Sequence, residues 1–341
     1  MPTFCRHNRF IERCPICSKT LPGNEPAGEP RRASTRTGAP RAGGARRTGR
    51  GMRSESVTVR REGRAADDGY ASSLVPGLRA SADAQRLAAE IAFSSARLAA
   101  LAAAPVGTYE RAVDAAAAGD LDSAAWTAFL LAYLAPSEDD QPFGGVDAAL
   151  AAAPSPEAVA PGGELGELLD AVARGPRSSH EPGSGSRTLT AYAQWVQRSG
   201  GQATAFAGDE AWTPERRFAR VFERLALPGF HRAARYELLV SLGRLGVFDL
   251  RADSLHLGAR LVPGTGEDEA ALAAKRVFGI GDPLLLDRRA IALAEAVGVP
   301  LEALDLALFN WSHPATDERA TLGFGPAEEP DGSAVAPALG L

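Results

Sequence analysis

The chain has 341 residues and a formal net charge of −5 at neutral pH, and 45% of its residues are hydrophobic. That length and apolar content exclude a wholly disordered, collagenous or disulfide-stapled chain and leave room for one sizeable core with appendages. No apolar run approaches the roughly 20 residues that span a bilayer, and the first residues lack the charged-then-apolar order of a secretory signal, so a cytoplasmic protein with no membrane partner is expected.

All three cysteines fall in the first 17 residues, as Cys5-x-His7 and Cys14-x-x-Cys17. Two close pairs separated by six residues gather four donors at small cost in chain entropy, as tetrahedral zinc requires. Cys5, His7, Cys14 and Cys17 are therefore the expected ligands of a structural zinc, in a knuckle spanning residues 1–20. A closed four-ligand site leaves no open position for a substrate, so the chemistry is expected further along.

Residues 21–77 read as a disordered linker. Between positions 31 and 64 stand eleven arginines against only Glu55 and Glu62, in a Gly-, Pro-, Ser- and Thr-rich text without apolar period. Such a segment is either a plain solvated tether or one that is drawn to nucleic-acid phosphate. Lysine occurs only at Lys19 and Lys275, so part of the arginine excess is compositional habit.

From about residue 78 to 315 the pattern is helical. Apolar residues recur at three- and four-residue spacing, as in Leu238, Leu239, Leu242 and Leu245, and predict helices over 82–103, 108–118, 123–135, 165–173, 189–199, 214–225, 232–245, 270–277, 283–297 and 301–310. Strand alternation is hard to find, so the domain is expected to be all-α. A Gly/Ser/Pro stretch near 175–186 interrupts it, and residues 316–341 read as a frayed tail.

Two phrases place glycine between helices: Leu227-Pro228-Gly229-Phe230-His231-Arg232 and Val277-Phe278-Gly279-Ile280-Gly281-Asp282-Pro283. Each is ordinary helix termination, or a hairpin whose second helix offers unpaired N–H groups and a favourable dipole to an anion such as DNA phosphate. On the second reading Gly229, His231, Gly279 and Gly281 approach phosphate, and Arg232, Arg276, Arg288 and Arg289 supply bidentate donors.

Residue order along 123–315 resembles the helix-hairpin-helix DNA glycosylase superfamily. The stretch from Ser123 to Tyr133 looks like the helix that carries substrate-facing residues, 227–234 looks like the hairpin, and 248–256 looks like the segment with the catalytic aspartate. Asp253 follows Gly229 by 24 residues, close to the family's gap. His231 replaces the hairpin's second glycine, and Ala233 stands where lyase-type members carry a nucleophilic lysine, which argues against Schiff-base chemistry. Together with the cysteine knuckle and the phrase Ala274-Lys275-Arg276-Val277-Phe278-Gly279-Ile280-Gly281-Asp282, the chain is similar to the third clade of α-glutamyl/putrescinyl thymine pyrophosphorylases.

That resemblance implies DNA as partner, a nucleoid-associated location, and a transferase reaction in which an amine, glutamate or putrescine, displaces pyrophosphate from a 5-hydroxymethyl-pyrimidine. It also implies that one carboxylate stabilises the developing cation. Asp253 is the first candidate, its alternative being a helix N-cap; Asp287 is the second, its alternative being a charged helix face. Trp126, Phe129 and Tyr133, at spacings of three and four, would line a pocket for an extruded base, or else form a buried helix stripe. Hydrolytic removal of a modified base and noncatalytic DNA binding stand as the alternative functions.

Overall fold

The computed structural model describes residues 65–137, 141–159, 163–259, 267–315, 317–323 and 331–341. The candidate zinc ligands and most of the arginine-rich linker lie outside them. Every regular element among the described residues is helical, as expected.

In chain order these are α1 (Ser81–Ala103), α2 (Thr108–Ala117), α3 (Leu121–Leu134), α4 (Gly144–Ala152), α5 (Gly163–Ala171), α6 (Gly185–Ser199) and α7 (Gln202–Ala207). There follow α8 (Pro214–Arg224), α9 (Arg232–Arg244), α10 (Glu269–Phe278), α11 (Pro283–Val297), α12 (Ala303–Ser312) and the short α13 (Ala336–Leu339). The starts of several are written in the sequence. Thr213 caps α8 by accepting from the Arg216 amide, with Pro214 at the first helical position, and Asp268 and Asp282 cap α10 and α11. Gly200, Gly279 and Gly298 end α6, α10 and α11 in the left-handed conformation.

α3 is apolar all round and has no solvent face: each residue from Ala124 to Leu134 is buried. It packs on α2, α4, α7 and α9, while α12 packs between α1 and α10. The stretch Ser81–Ala117 is long and apolar enough to cross a membrane by composition, but it is broken between α1 and α2, and its buried residues Leu87, Ile91 and Leu98 join the common core.

Three expectations are corrected here. The aromatic set of α3 is core, not a base pocket. Trp126, Phe129 and Tyr133 are fully buried; Phe129 stacks on Tyr192 at 3.7 Å and on Trp126 at 5.3 Å, and the Trp126 indole donates to the Ala153 carbonyl. The linker ends earlier than expected: Val75 is buried, and the Gly77 amide donates to the Val277 carbonyl at the end of α10. Residues 331–341 are not a frayed tail. Val335 and Leu339 are buried, α13 packs on α1, and the Leu339 carbonyl accepts from the Tyr70 hydroxyl.

Candidate active site

The turn between α8 and α9 is fixed from three sides. Gly229 has φ +71°, and a Cβ there would fall 2.2 Å from the Thr188 hydroxyl oxygen, so only glycine fits. Phe230 is fully buried and lies 5.1 Å from Phe129, which gives the aromatic stack a positioning role. The Ser179 hydroxyl donates to the Gly229 carbonyl and accepts from the His231 amide, both at 2.8 Å. Ser179 is itself held by α3, its amide donating to the Tyr133 carbonyl. The Gly/Ser/Pro stretch read as an interruption is thus a clamp on the turn. Beside it the Tyr133 hydroxyl meets His180 Nδ1 at 2.9 Å, and His180 Nε2 meets Asp170 at 2.8 Å. Burial lowers the His180 pKa against the pull of Asp170.

α9 begins at His231 with no side-chain cap, leaving the first-turn amides to whatever lies in front of them. In front is a cavity of about 460 Å³. Its walls are the 176–178 loop, His231, Arg232, Ala233 and Arg235 of α9, residues 257–259, the first turn of α10, Gly281 and Pro283 at the start of α11, and Phe309 of α12. The two glycine turns therefore meet at one cavity. Ala233 lies in its wall and offers no nucleophile there.

Behind the wall is a buried charge network. Asp305 of α12 receives Arg177 and, at 2.6 Å, Arg232; Arg232 also lies 2.9 Å from Asp268 and donates to the Leu255 carbonyl. Burial would weaken the Arg232 charge, but Asp268 and Asp305 outweigh it and raise its pKa. Burial likewise works to raise the Asp268 carboxyl, yet Arg232 and the Ala271 amide hold it below its ordinary range. Glu237, 3.4 Å from Arg177, is pushed up to about 7 by burial, against the attraction of Arg177. Arg235 is 2% exposed and has no carboxylate within ion-pair distance among the described residues. Its guanidinium lies over the Phe222 ring at 4.5 Å and reaches the Phe222 carbonyl only at 3.4 Å, with Nε unpartnered. Burial and the neighbouring Arg232 push its pKa down to about 10, which leaves it charged near neutrality.

The expected site residues are placed unevenly. Arg232 is corrected from an exposed phosphate donor to a buried ion-pair member, because two carboxylates and a carbonyl already take its guanidinium. Asp253 is exposed, begins no helix and does not line the cavity. Asp287 is also outside the cavity wall; it accepts from the Leu255 and Leu257 amides at 3.1 and 3.5 Å and ties that segment to α11. Burial raises its pKa, opposed by hydrogen bonds from Leu257, Ser254 and Leu255. Gly279 backs onto Gly77, Arg289 donates to the Ser73 carbonyl, and Arg276 and Arg288 are exposed and do not line the cavity. His231 is half-buried, 3.4 Å from Glu181.

The carboxylates that do line the cavity are Glu267, Asp268 and Glu269, paired respectively with Lys275 at 3.0 Å, Arg232, and His313 at 3.0 Å. In sequence they are indistinguishable from an acidic helix start. Arg235 and Glu237 carried a fainter signal: charges embedded in the otherwise apolar run of α9.

Residues 177–317 match the model of the family described as alpha-glutamyl/putrescinyl thymine pyrophosphorylase clade 3. The resemblance is borne out over that stretch, which holds both glycine turns; the cysteine knuckle lies outside it. No curated protein and no solved structure gives a match.

Proposed function

With residues 177–317 matched to the thymine pyrophosphorylase family, and every cavity-lining residue except Pro176 lying inside that stretch, we propose that this cavity is the reaction site of a DNA base-modifying transferase. In the reaction an amine nitrogen attacks the exocyclic carbon of a 5-hydroxymethyl-pyrimidine pyrophosphate. The C–N bond forms as the C–O bond to pyrophosphate breaks, and the ammonium proton passes to solvent. Loss of pyrophosphate builds positive charge on that carbon, and a carboxylate already anionic and oriented stabilises it without reorganising. Asp268 has those properties: it lines the cavity, its carboxylate is 12% exposed, and Arg232 and the Ala271 amide fix it.

Base extrusion would bring the reacting carbon to the cavity mouth. Support comes from Leu284 and Leu285, exposed at 75% and 45% beside cavity-lining Pro283 and Leu286, with Arg288 one helical turn on. Exposed apolar side chains next to cations suit a wedge entering a duplex. Cys5, His7, Cys14 and Cys17 are assigned a structural zinc from their spacing, and the arginine-rich segment a salt-sensitive hold on DNA.

The test is mass spectrometry on a duplex carrying one pyrophosphorylated 5-hydroxymethyluracil, incubated with an amine and wild type, Asp268→Asn, Asp253→Asn or Asp287→Asn. An amine adduct that is lost selectively with Asp268→Asn is expected. Loss confined to Asp253→Asn would return the reaction to that exposed loop, and free base with an abasic site would make the protein a glycosylase. Metal analysis of the same preparations is expected to find one zinc per chain.

A further inference from the structure

The carboxylates in the cavity wall differ in what stands behind them. Glu267 faces Lys275 and Asp268 faces Arg232, cations that keep their protons near neutrality. Glu269, whose side chain is half exposed, lies 3.0 Å from His313 Nε2, and an imidazole is the one partner of the three that titrates in that range. The ring is held in place. Its Nδ1 lies 2.9 Å from the Phe309 carbonyl, and it packs at 4.5 Å on the Phe309 ring, which itself lines the cavity. A carbonyl only accepts, so Nδ1 carries hydrogen and Nε2 turns to Glu269. Nε2 and the carboxylate are then both acceptors unless one proton lies between them. The Glu269 hydrogen bond, the Phe309 carbonyl and the negative charge of Asp317 raise the His313 pKa against burial. His313 also lines a second cavity of about 320 Å³, with Arg86 and Glu90 of α1 and Asp317, Glu318 and Arg319 as the other charged groups around it.

We propose that Glu269 and His313 form the proton exit of the cavity: the Glu269 carboxylate takes a proton from the incoming ammonium, and His313 passes it to solvent through the second cavity. The role depends on the transferase reading and covers the step before attack, whichever amine is used. An ammonium has no lone pair. One N–H proton moves to a Glu269 oxygen and on to Nε2, giving imidazolium and carboxylate. The freed nitrogen pair forms the C–N bond while the C–O pair leaves with pyrophosphate, and the product nitrogen stays cationic until it exchanges with solvent. Of the pair Glu269 alone lines the cavity and is the catalytic residue; His313 acts through it, as a positioning residue that relays the proton. Asp268, next to it in sequence, is kept from this role by Arg232, which holds it anionic. The two neighbouring carboxylates thus divide cation stabilisation from proton transfer.

The test measures adduct formation by mass spectrometry across pH, with the full-length protein, the pyrophosphorylated duplex and saturating L-glutamate or putrescine. Wild-type kcat should rise with pH through a pKa above 6.5, the ordinary histidine value, and then level off. Glu269→Gln should lose about a hundredfold at neutral pH, the low end of general-base catalysis, and its remaining rate should follow the amine's own far more alkaline ionisation. His313→Ala should also be slow, with its limb displaced toward carboxylate acidity, and added imidazole should restore rate in step with the neutral imidazole present. A half-exposed ion pair contributes little stability, so the melting temperatures of both variants should stay near wild type. A merely structural pair would show the opposite: lower melting temperatures, an unshifted pH limb and no response to imidazole. His231→Gln, which removes the imidazole that lines the cavity itself, should keep the limb. A limb that survives Glu269→Gln, or one that vanishes with His231→Gln instead, overturns the proposal and leaves the transferase reading standing. No adduct from wild type at any pH with either amine removes both.

Discussion

The two glycine turns look alike in sequence and do opposite things in the fold. At Leu227–His231 the chain uses glycine because nothing else fits, clamps the turn through Ser179, and leaves the start of α9 uncapped before a cavity. At Gly279–Pro283 the first glycine ends α10 against Gly77, and Asp282 fills the start of α11 with its own carboxylate, accepting from the Leu284 and Leu285 amides at 3.0 and 3.2 Å. A helix N-terminus attracts anions only if the chain has not supplied one already. The first turn therefore leaves its helix start without a side-chain cap, and the second closes its own with Asp282.

The largest expected effect separates the turns by their glycines. Gly229→Ala forces a left-handed alanine and drives its Cβ into Thr188, so a loss of about 2–4 kcal/mol is expected, combining the conformational and overpacking costs. Gly281→Ala meets nothing within 4 Å and should be nearly silent in the same urea titrations. Adding Thr188→Ala to Gly229→Ala should recover the steric part and leave the conformational part. Equal losses at Gly229 and Gly281 would erase the distinction.

A pH titration probes what lies behind the first turn. Glu237 is raised from 4.5 to about 7, so the folded state holds a proton that the unfolded state has released, and this group makes stability fall as pH rises through that window. His256, stacked on Phe222 at 4.2 Å, is lowered from 6.5 to about 4 by burial and the charges of Arg232 and Arg235. Here the unfolded state binds the extra proton, and stability rises from about pH 4 to 6.5. The two slopes, each up to about 1.4 kcal/mol per pH unit, oppose one another between about pH 4.5 and 6.5. Denaturation midpoints should reveal them singly: Glu237→Gln should show a rise over that range, and His256→Gln a fall. A flat profile in both variants would mean that neither group is perturbed by the fold.

Much of the architecture was legible because it rests on local chemistry. Caps at Thr213 and Asp282, glycines at 200, 279 and 298, and the apolar period of α9 locate helix ends within a few residues. α4, α7 and α13 escaped notice, being six to nine residues or shorter and rich in Ala and Gly, with too few turns to display a period. The site was less legible. Trp126, Phe129 and Tyr133 have the spacing of any helix face, and only the neighbours Tyr192 and Phe230 show that the face is filled. Arg232 reads as a surface arginine because its partners Asp268 and Asp305 lie 36 and 73 residues away. Arg235 has no carboxylate within ion-pair distance among the described residues, and no local pattern reveals that.

The smallest effect bears most directly on the contrast between the turns. Asp282→Ala removes a side-chain cap and should cost about 1 kcal/mol. It also strips the carboxylate from the start of α11, freeing the Leu284 and Leu285 amides one helical turn before the exposed Arg288. If Asp282 is what closes that helix end to anions, the variant should bind DNA more tightly than wild type at low salt, with a steeper decline as salt rises, despite its lower stability. Asp282→Asn keeps the cap and drops the charge, so it should give part of the binding gain at little stability cost. Unchanged DNA affinity in both variants would show that the second turn stands away from the duplex, and the contrast would then reduce to one turn that faces the ligand and one that only ends a helix.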